Sequence, residues 1–282
     1  MLEKAAIMYS GGVDSTVVAS KVAGEAKRVY LITCLSHCHL LPKDTLGTPE
    51  HMVPRIAWLR EKYPQTEFIH VLLHTKKLQE FFWNRFVIQD LLTVGLWRNL
   101  PCSCCSPANF GSVLVYCLKN KIGDLFWGGN VMMAGFPYQH PACVEQLTAF
   151  SRSYGVQFHS PVLWHQNEDV MLLYQFENFR NNPALQNNIR WGETTTQEAN
   201  ALGIEKGDIK FDFEKKNREQ ITCKQDTFVT YSQFFFFYRF FGFKKMEDAM
   251  LKLLMNQAKR LKKIIDSHMK DGKYADLFDS HA

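Results

Sequence analysis

A chain of 282 residues, 46% of them hydrophobic and with a net charge of +5, is long enough to bury a sizeable core and to form one main domain with an appendage. It has no apolar stretch of membrane-spanning length and no leader-like apolar segment before its first strand, so the expectation is a soluble, cytoplasmic protein with no membrane partner. Eight cysteines without a secretory segment argue against a disulfide framework and leave thiol chemistry, metal ligation or core packing, while the mild charge permits a polyanionic partner without requiring one.

In chain order, residues 5–9 form an apolar run of the kind a buried parallel strand uses. Residues 15–24 follow as a helix with Val17, Val18 and Val22 inward. Strand-like runs at 28–33, 67–74, 124–128 and 159–163 then alternate with helical patterns. This rhythm predicts an α/β fold, a doubly wound parallel sheet covered on both faces. The second helix reads as opening at Thr48, with Pro49 in its first position and Glu50 in its first turn. It runs through Val53, Ile56, Ala57 and Leu59 to Lys62, and Pro64 ends it. Further helices are expected at 77–94, 108–120 and 168–179, the last capped by Asn167.

Beyond residue 178 the composition turns to asparagine and proline and the rhythm lapses. A boundary near residue 185 follows, with 1–185 as one domain and 186–282 as a mainly helical region for substrate or oligomerisation. A short helix at 196–202 is expected to carry a capping box of Thr195 and Glu198 and to stop at Gly203. Residues 233–243 hold eight aromatics in eleven, which reads as a satellite core or a homodimer contact. Met246, Met250, Leu253, Leu254, Leu261, Ile264 and Ile265 then form an apolar stripe at helical spacing. Lys252, Lys259, Arg260, Lys262 and Lys263 lie off it, as a solvated basic face.

The loop between the first strand and first helix holds the densest signal. Gly11 and Gly12 carry no Cβ, so their amides approach an anion closely, and the helix start adds unpaired N–H groups and a positive dipole end. Ser10, Ser15 and Thr16 supply hydroxyls. The lysine of a Walker loop and the spaced glycines of a dinucleotide fingerprint are both missing. The string Ser10-Gly11-Gly12-Val13-Asp14-Ser15-Thr16 instead resembles the pyrophosphate loop of the ATP pyrophosphatases, the PP-loop or N-type ATPase family, in sequence and in place after the first strand.

A second cluster is Pro101-Cys102-Ser103-Cys104-Cys105-Ser106-Pro107, read as lying just ahead of a helix, where the dipole and free amides would favour thiolate. Cys102 and Cys105 have the spacing of a metal-ligand pair, with Cys223, Cys143 and Cys34 as distant partners. An iron–sulfur cluster or zinc, a persulfide carrier and inert buried thiols all remain open. The Cys-Ser-x-Cys-Ser string resembles the tRNA 2-thiocytidine synthetase branch of the PP-loop family, where two such cysteines and a third hold a four-iron four-sulfur cluster. Asn167-Glu168-Asp169-Val170 resembles that branch too. The basic run after the paired cysteines is absent, however, a His-His-x-x-Asp-Asp stretch is replaced by Gly129-Asn130-Val131-Met132-Met133, and no second cysteine lies near Cys223. Cys34, His37, Cys38 and His39 form another cluster, read as rim side chains.

The resemblance implies a Rossmann-like sheet of the adenine nucleotide alpha hydrolase type, with residues 1–185 binding ATP. It also implies an enzyme that uses ATP and Mg2+ to adenylate a carbonyl or carboxyl oxygen, releasing pyrophosphate before a nucleophile displaces AMP. Ser10, Gly11, Gly12, Asp14, Ser15 and Thr16 would hold the phosphates, with Asp14 and Ser15 catalytic. Leu31 and Thr33 would neighbour the adenine, and Gly129 and Asn130 the substrate. With sulfur as nucleophile, Cys102 or Cys105 matters and the substrate is a nucleobase, a tRNA or a small molecule. With ammonia, the chain resembles the 7-cyano-7-deazaguanine synthases. A nucleotide-binding module without turnover is the third expectation.

Overall fold

The computed structural model describes residues 1–35, 45–46, 52–94, 100–130, 139, 141–166, 190–204, 222–223 and 243–278. In chain order these form β1 (Leu2–Met8), α1 (Val13–Ala23), β2 (Ala26–Leu35), β3 (Thr45–Leu46), α2 (Val53–Lys62), β4 (Glu67–His74), α3 (Lys76–Val94), α4 (Leu100–Lys119) and β5 (Asp124–Trp127). Then come α5 (Pro141–Arg152), β6 (Gln157–His159), β7 (His165–Gln166), β8 (Arg190–Thr194), α6 (Thr195–Ala201), β9 (Thr222–Cys223), α7 (Phe243–Asp271) and α8 (Ala275–Phe278). No helix among the described residues is long and apolar enough to cross a membrane.

The fold is α/β, with a helical C-terminal region. Five parallel strands lie in the order β4-β2-β1-β5-β6. In register, Ile7 of β1 faces Leu31 of β2 on one side and Phe126 of β5 on the other. The strand order changes direction at β1, so the gap beyond the carboxyl ends of β1 and β5 is the topological switch point where such sheets bind ligands.

The chain divides into two compact units. The first comprises Met1–Thr33, Leu46–Val71 and Asn120–Thr222. Its core joins Ala5, Ile7, Val29, Leu31, Phe68 and Phe126 of the sheet to Val17, Val18 and Val22 of α1 and to Ile56 and Leu59 of α2. Ala199 of α6 packs into the same cluster. The second unit comprises Cys34–Thr45, Leu72–Lys119 and Cys223–Ala282. There α7 packs on α3 and α4, and a Cβ added to Gly111 of α4 would sit 2.5 Å from Leu261. The α7 stripe is buried at Leu253, Leu254, Leu261, Ile264 and Ile265, as its spacing predicts.

Several expected boundaries move. The first strand is Leu2–Met8, leaving Tyr9 as the start of the loop, and the last expected strand is Gln157–His159, with 161–164 in turns. Helix α2 starts at Val53, with Pro54 in its first turn; its buried stripe is Met52, Arg55, Ile56 and Leu59, while Val53 and Ala57 face solvent. Thr48 to Glu50, the helix expected at 168–179 with Asn167, and residues 233–242 of the aromatic run lie outside the described residues.

The capping box of α6 is one residue earlier than expected. The Thr194 side chain accepts from the Gln197 N–H, and the Gln197 side chain accepts from the Thr194 N–H. Glu198 is drawn away instead by Lys21 of α1 and by His165. Helix α4 departs most, beginning at Leu100 and running through Pro107. Pro101 suits a first turn, where N–H groups have no helical partner, and Pro107 withdraws one interior bond without stopping the helix.

The fully buried Asp90 of α3 accepts from Gln257 at 2.7 Å and from Arg260 at 2.6 Å, and Arg260 also stacks on Phe86 at 4.2 Å. Burial pushes the Asp90 carboxyl up, while Arg260 and Gln257 pull it back. Removing the carboxylate leaves both donors behind in a desolvated site. Asp90→Ala is expected to cost about 3 kcal/mol, read as a lowered urea midpoint, and Arg260→Ala to lower it as well. An unchanged midpoint in both would show the pair to be without structural weight.

Candidate nucleotide site at the switch point

The chain leaves β1 at Met8 and turns at Gly11, whose φ of 73° is costly for any residue with a side chain. A Cβ there would also lie 2.9 Å from Met52 Cγ. Gly12 is the N-cap of α1 in extended conformation, without a side-chain cap. Its carbonyl accepts three donors: the Thr16 N–H at 3.0 Å, the Ser15 hydroxyl at 3.0 Å and the Thr16 hydroxyl at 2.8 Å. With the Ser15 proton so committed, the contact of 3.3 Å between Ser10 and Ser15 is a bond from the Ser10 hydroxyl. The Gly12 N–H donates back to Ser10 Oγ at 3.3 Å. The amides of Val13, Asp14 and Ser15 precede the first i→i−4 bond of the helix, so they have no partner within it and suit an anion.

The base of the loop is tied to the sheet. The Tyr9 N–H donates to the Ile32 carbonyl at 2.8 Å, and the Thr33 hydroxyl donates to the Tyr9 carbonyl at the same distance. His70 Nε2, 3.0 Å from that hydroxyl, is then its donor, and since burial and then Arg60 lower the His70 pKa, the neutral ring makes this bond as the Nε2–H tautomer. The Tyr9 hydroxyl meets Thr16 Oγ1 at 3.3 Å; burial pushes its pKa up, while Thr16 and the Arg55 charge pull it down. Leu31 sits in the core of the sheet.

Beyond β5, a Cβ on Gly128 would lie 2.8 Å from the Ser15 amide nitrogen, so the absent side chain lets the strand end meet the first turn of α1. Gly129 and Asn130 follow, both buried. Asn130 works as a tie: its N–H donates to Gln139 at 2.9 Å and its side-chain amide donates to the His165 carbonyl at 2.8 Å.

Asp14 turns toward α6. Desolvation raises its pKa, against the opposing pull of a hydrogen bond with Thr195 and of nearby His165. His165 Nε2 lies 3.1 Å from Glu198, which also pairs with Lys21. This line of residues, Asp14, Thr195, His165, Glu198 and Lys21, was not foreseen from the sequence. The sequence offered Asp14 as a loop residue and Thr195 with Glu198 as a capping box, and gave no signal that they would meet His165 and Lys21. Arg55 was missed as well, because a charged residue inside an apolar spacing reads as the solvated edge of a helix.

The cysteines belong to the second unit, except Cys143, which is buried in α5 of the first. Cys102 through Cys105 lie inside α4 rather than ahead of it, which removes the helix-entry argument for thiolate. Cys102 and Cys105 are three residues apart along α4. Cys104 is buried, and Cys105 accepts from the Asn109 side-chain amide at 3.5 Å. Cys34, at the end of β2, donates to the Asn109 carbonyl at 3.8 Å. Burial, and then the neighbouring Cys105, push the Cys34 thiol far above its ordinary range. Thr75 donates to Asn109 Oδ1 at 2.6 Å, completing the cluster. Cys223 lies in β9, and His37, Cys38 and His39 are outside the described residues. Among the described residues no three ligating side chains converge on one point, so two thiols here fall short of a closed zinc or cluster site.

No protein-family model and no curated protein matches the chain. Among solved structures, it is similar to a predicted tRNA methyltransferase subunit from Methanocaldococcus jannaschii, with 13% identity over 63% of this chain and 74% of that one and a TM-score of 0.34. It is also similar to the U34-tRNA thiolase NcsA of Methanococcus maripaludis, solved with its iron–sulfur cluster, with 14% identity over 99% of this chain and 80% of that one and a TM-score of 0.41. At these TM-scores neither superposition bears on the chemistry of this chain.

Gly11→Ala is expected to lower the melting temperature and weaken pyrophosphate binding together, because a positive φ costs about 1–2 kcal/mol for a residue with a Cβ and Met52 must also shift. Wild-type values for both would remove the strain argument. Asp14→Asn has the opposite sign for the fold. The folded chain holds the Asp14 proton more tightly than the unfolded chain, so ionisation on raising the pH through that range costs stability, and asparagine is spared it. The variant's melting temperature at neutral pH should match or exceed wild type, with the gap closing as the pH falls toward the ordinary aspartate range. A large drop at neutral pH would show the carboxylate to be a net stabiliser.

Proposed function

We propose that the chain is an ATP-using enzyme that adenylates a substrate oxygen, releases pyrophosphate, and then transfers sulfur to the activated carbon of a nucleobase, within tRNA or free. The observation that supports it most is the arrangement at the switch point: Gly11 and the first-turn amides of α1 present neutral donors to an anion, beside hydroxyls already aligned on the Gly12 carbonyl.

In this reading the substrate is the magnesium complex of ATP. A carbonyl oxygen attacks the α-phosphorus, the bond from that phosphorus to the bridging oxygen breaks, and pyrophosphate leaves into the loop. Gly11 and the first-turn amides of α1 meet the growing negative charge with fixed donors, held in place by the Ser15 and Thr16 hydroxyls on the Gly12 carbonyl, which saves reorganisation in the transition state. Asp14 braces α1 against α6 through Thr195 rather than presenting a free carboxylate. Leu31 and Thr33 border the adenine side, and Gly129 and Asn130 shape the substrate side. Correct placement of oxygen and phosphorus supplies much of the acceleration, so the reaction calls for no strong base.

Sulfur is favoured as the second nucleophile by the thiol cluster of the second unit, where Cys105 and Cys34 share Asn109 and Cys102 lies one helical turn from Cys105. The described thiols do not close a zinc or cluster site, so in this reading Cys105 and Cys34 act as thiols rather than as ligands.

The test is turnover of ATP labelled at the α-phosphate, with products separated by charge. Wild type is expected to give AMP and pyrophosphate in the presence of the acceptor. Ser15→Ala and Asp14→Asn should each slow this by about a hundredfold, the usual scale for losing one transition-state donor or its brace. ADP as the product, or full rates in both variants, would contradict the reading. Turnover driven by ammonia and not by sulfide would retain the first step and reassign the second.

A further inference from the structure

Helix α2 carries a charge where its packing calls for an apolar residue. Met52, Arg55, Ile56 and Leu59 share its buried stripe, and Arg55 is only 7% exposed. Desolvating a guanidinium in such a place is costly, and is offset best by negative charge and well-placed acceptors. Its surroundings say what that charge serves. One terminal nitrogen, Nη1, lies 3.6 Å from the point a Cβ on Gly11 would occupy, and the charge acts on the Tyr9 hydroxyl, which itself touches Thr16. Arg55 therefore lies directly beneath the turn from Tyr9 to Thr16.

That turn is short of positive charge. Residues 9–16 include no lysine, arginine or histidine, and their only carboxyl group is that of Asp14. Lys21, the one basic residue of α1, is engaged by Glu198. Amides and hydroxyls would have to meet whatever negative charge of the pyrophosphate group its magnesium ion leaves unbalanced. A Cβ at Gly11 would press on Met52 at 2.9 Å, while the guanidinium stands at ordinary contact distance from that point, so Arg55 reaches the underside of the turn without a steric conflict.

We propose that Arg55 is the cationic half of the phosphate site, a positioning residue whose buried guanidinium stabilises a pyrophosphate-bearing ligand on the Gly11–Thr16 turn. It takes the place of the lysine that other phosphate loops carry within the loop itself. The proposal rests on the ATP-binding reading above and adds to it the group that makes the site select for polyanions.

The experiment is titration calorimetry of the full chain with magnesium pyrophosphate, at two salt concentrations, for wild type, Arg55→Lys and Arg55→Met, with melting curves as the fold control. Loss of a charge-assisted contact predicts about 10- to 100-fold weaker binding by Arg55→Met. Arg55→Lys should lose less, because it keeps the charge but not the planar fork. The salt dependence should flatten in Arg55→Met alone, which a merely structural role would not produce. Equal affinity and equal salt dependence in Arg55→Met, with wild type binding well, would overturn the role of Arg55 and leave the loop reading standing. Failure of wild type to bind either pyrophosphate or ATP would overturn both. If Arg55→Met does not fold, Arg55→Lys decides: pyrophosphate affinity identical to wild type overturns the proposal.

Discussion

The backbone contact between the end of β5 and the first turn of α1 is the constraint on which the site depends. Gly128 leaves room for the Ser15 amide where any Cβ would stand 2.8 Å from it. That closeness brings two segments, residues 10–16 and 128–130, to one crevice at the point where the strand order reverses. Either segment alone is an ordinary strand–helix turn. Together they set the first-turn amides of α1 beside a buried glycine and asparagine, in the place where an α/β sheet can hold a ligand without sacrificing its own ladder.

Around that contact the side chains are committed in a definite order. The hydroxyls of Ser15 and Thr16 close on the Gly12 carbonyl, Thr33 holds the Tyr9 carbonyl, and His70 holds Thr33. On the outer side, Asp14 leans on Thr195 while Glu198 takes both Lys21 and His165. The acid of the loop motif is thus occupied by the fold, and positive charge arrives from below through Arg55. A phosphate group meeting this turn finds donors already aimed, which limits the reorganisation that binding requires.

How much of this could be read in the sequence differs by feature. The parallel sheet, α1 with its valines, and the α7 stripe were legible because apolar periodicity reports burial directly. The loop was legible because Ser-Gly-Gly-x-Asp-Ser-Thr sits between a strand and a helix. Boundaries set by tertiary contacts were not. Pro107 suggested a helix start, yet packing in the second unit carries α4 straight through it. Thr195 and Glu198 matched a capping box, yet the pull of Lys21 and His165 on Glu198 left Thr194 and Gln197 to make it. Arg55 was invisible for a related reason: pattern reading assigns arginine to solvent, and only the fold reveals a charge that the core has taken in. The nearness of Cys34 to Cys105 joins residues 71 apart in sequence, a separation that no local spacing rule covers.

The proposed function requires phosphate oxygens to rest on the amides of the Gly11 turn. A crystal structure of the full chain grown with magnesium and an ATP analogue that resists cleavage between its α- and β-phosphates tests it most directly. The β- and γ-phosphate oxygens are expected within hydrogen-bond distance of the Gly11 and first-turn amides of α1, with the Arg55 guanidinium below them. Triphosphate bound at another place, with that turn unaltered and empty, would contradict it.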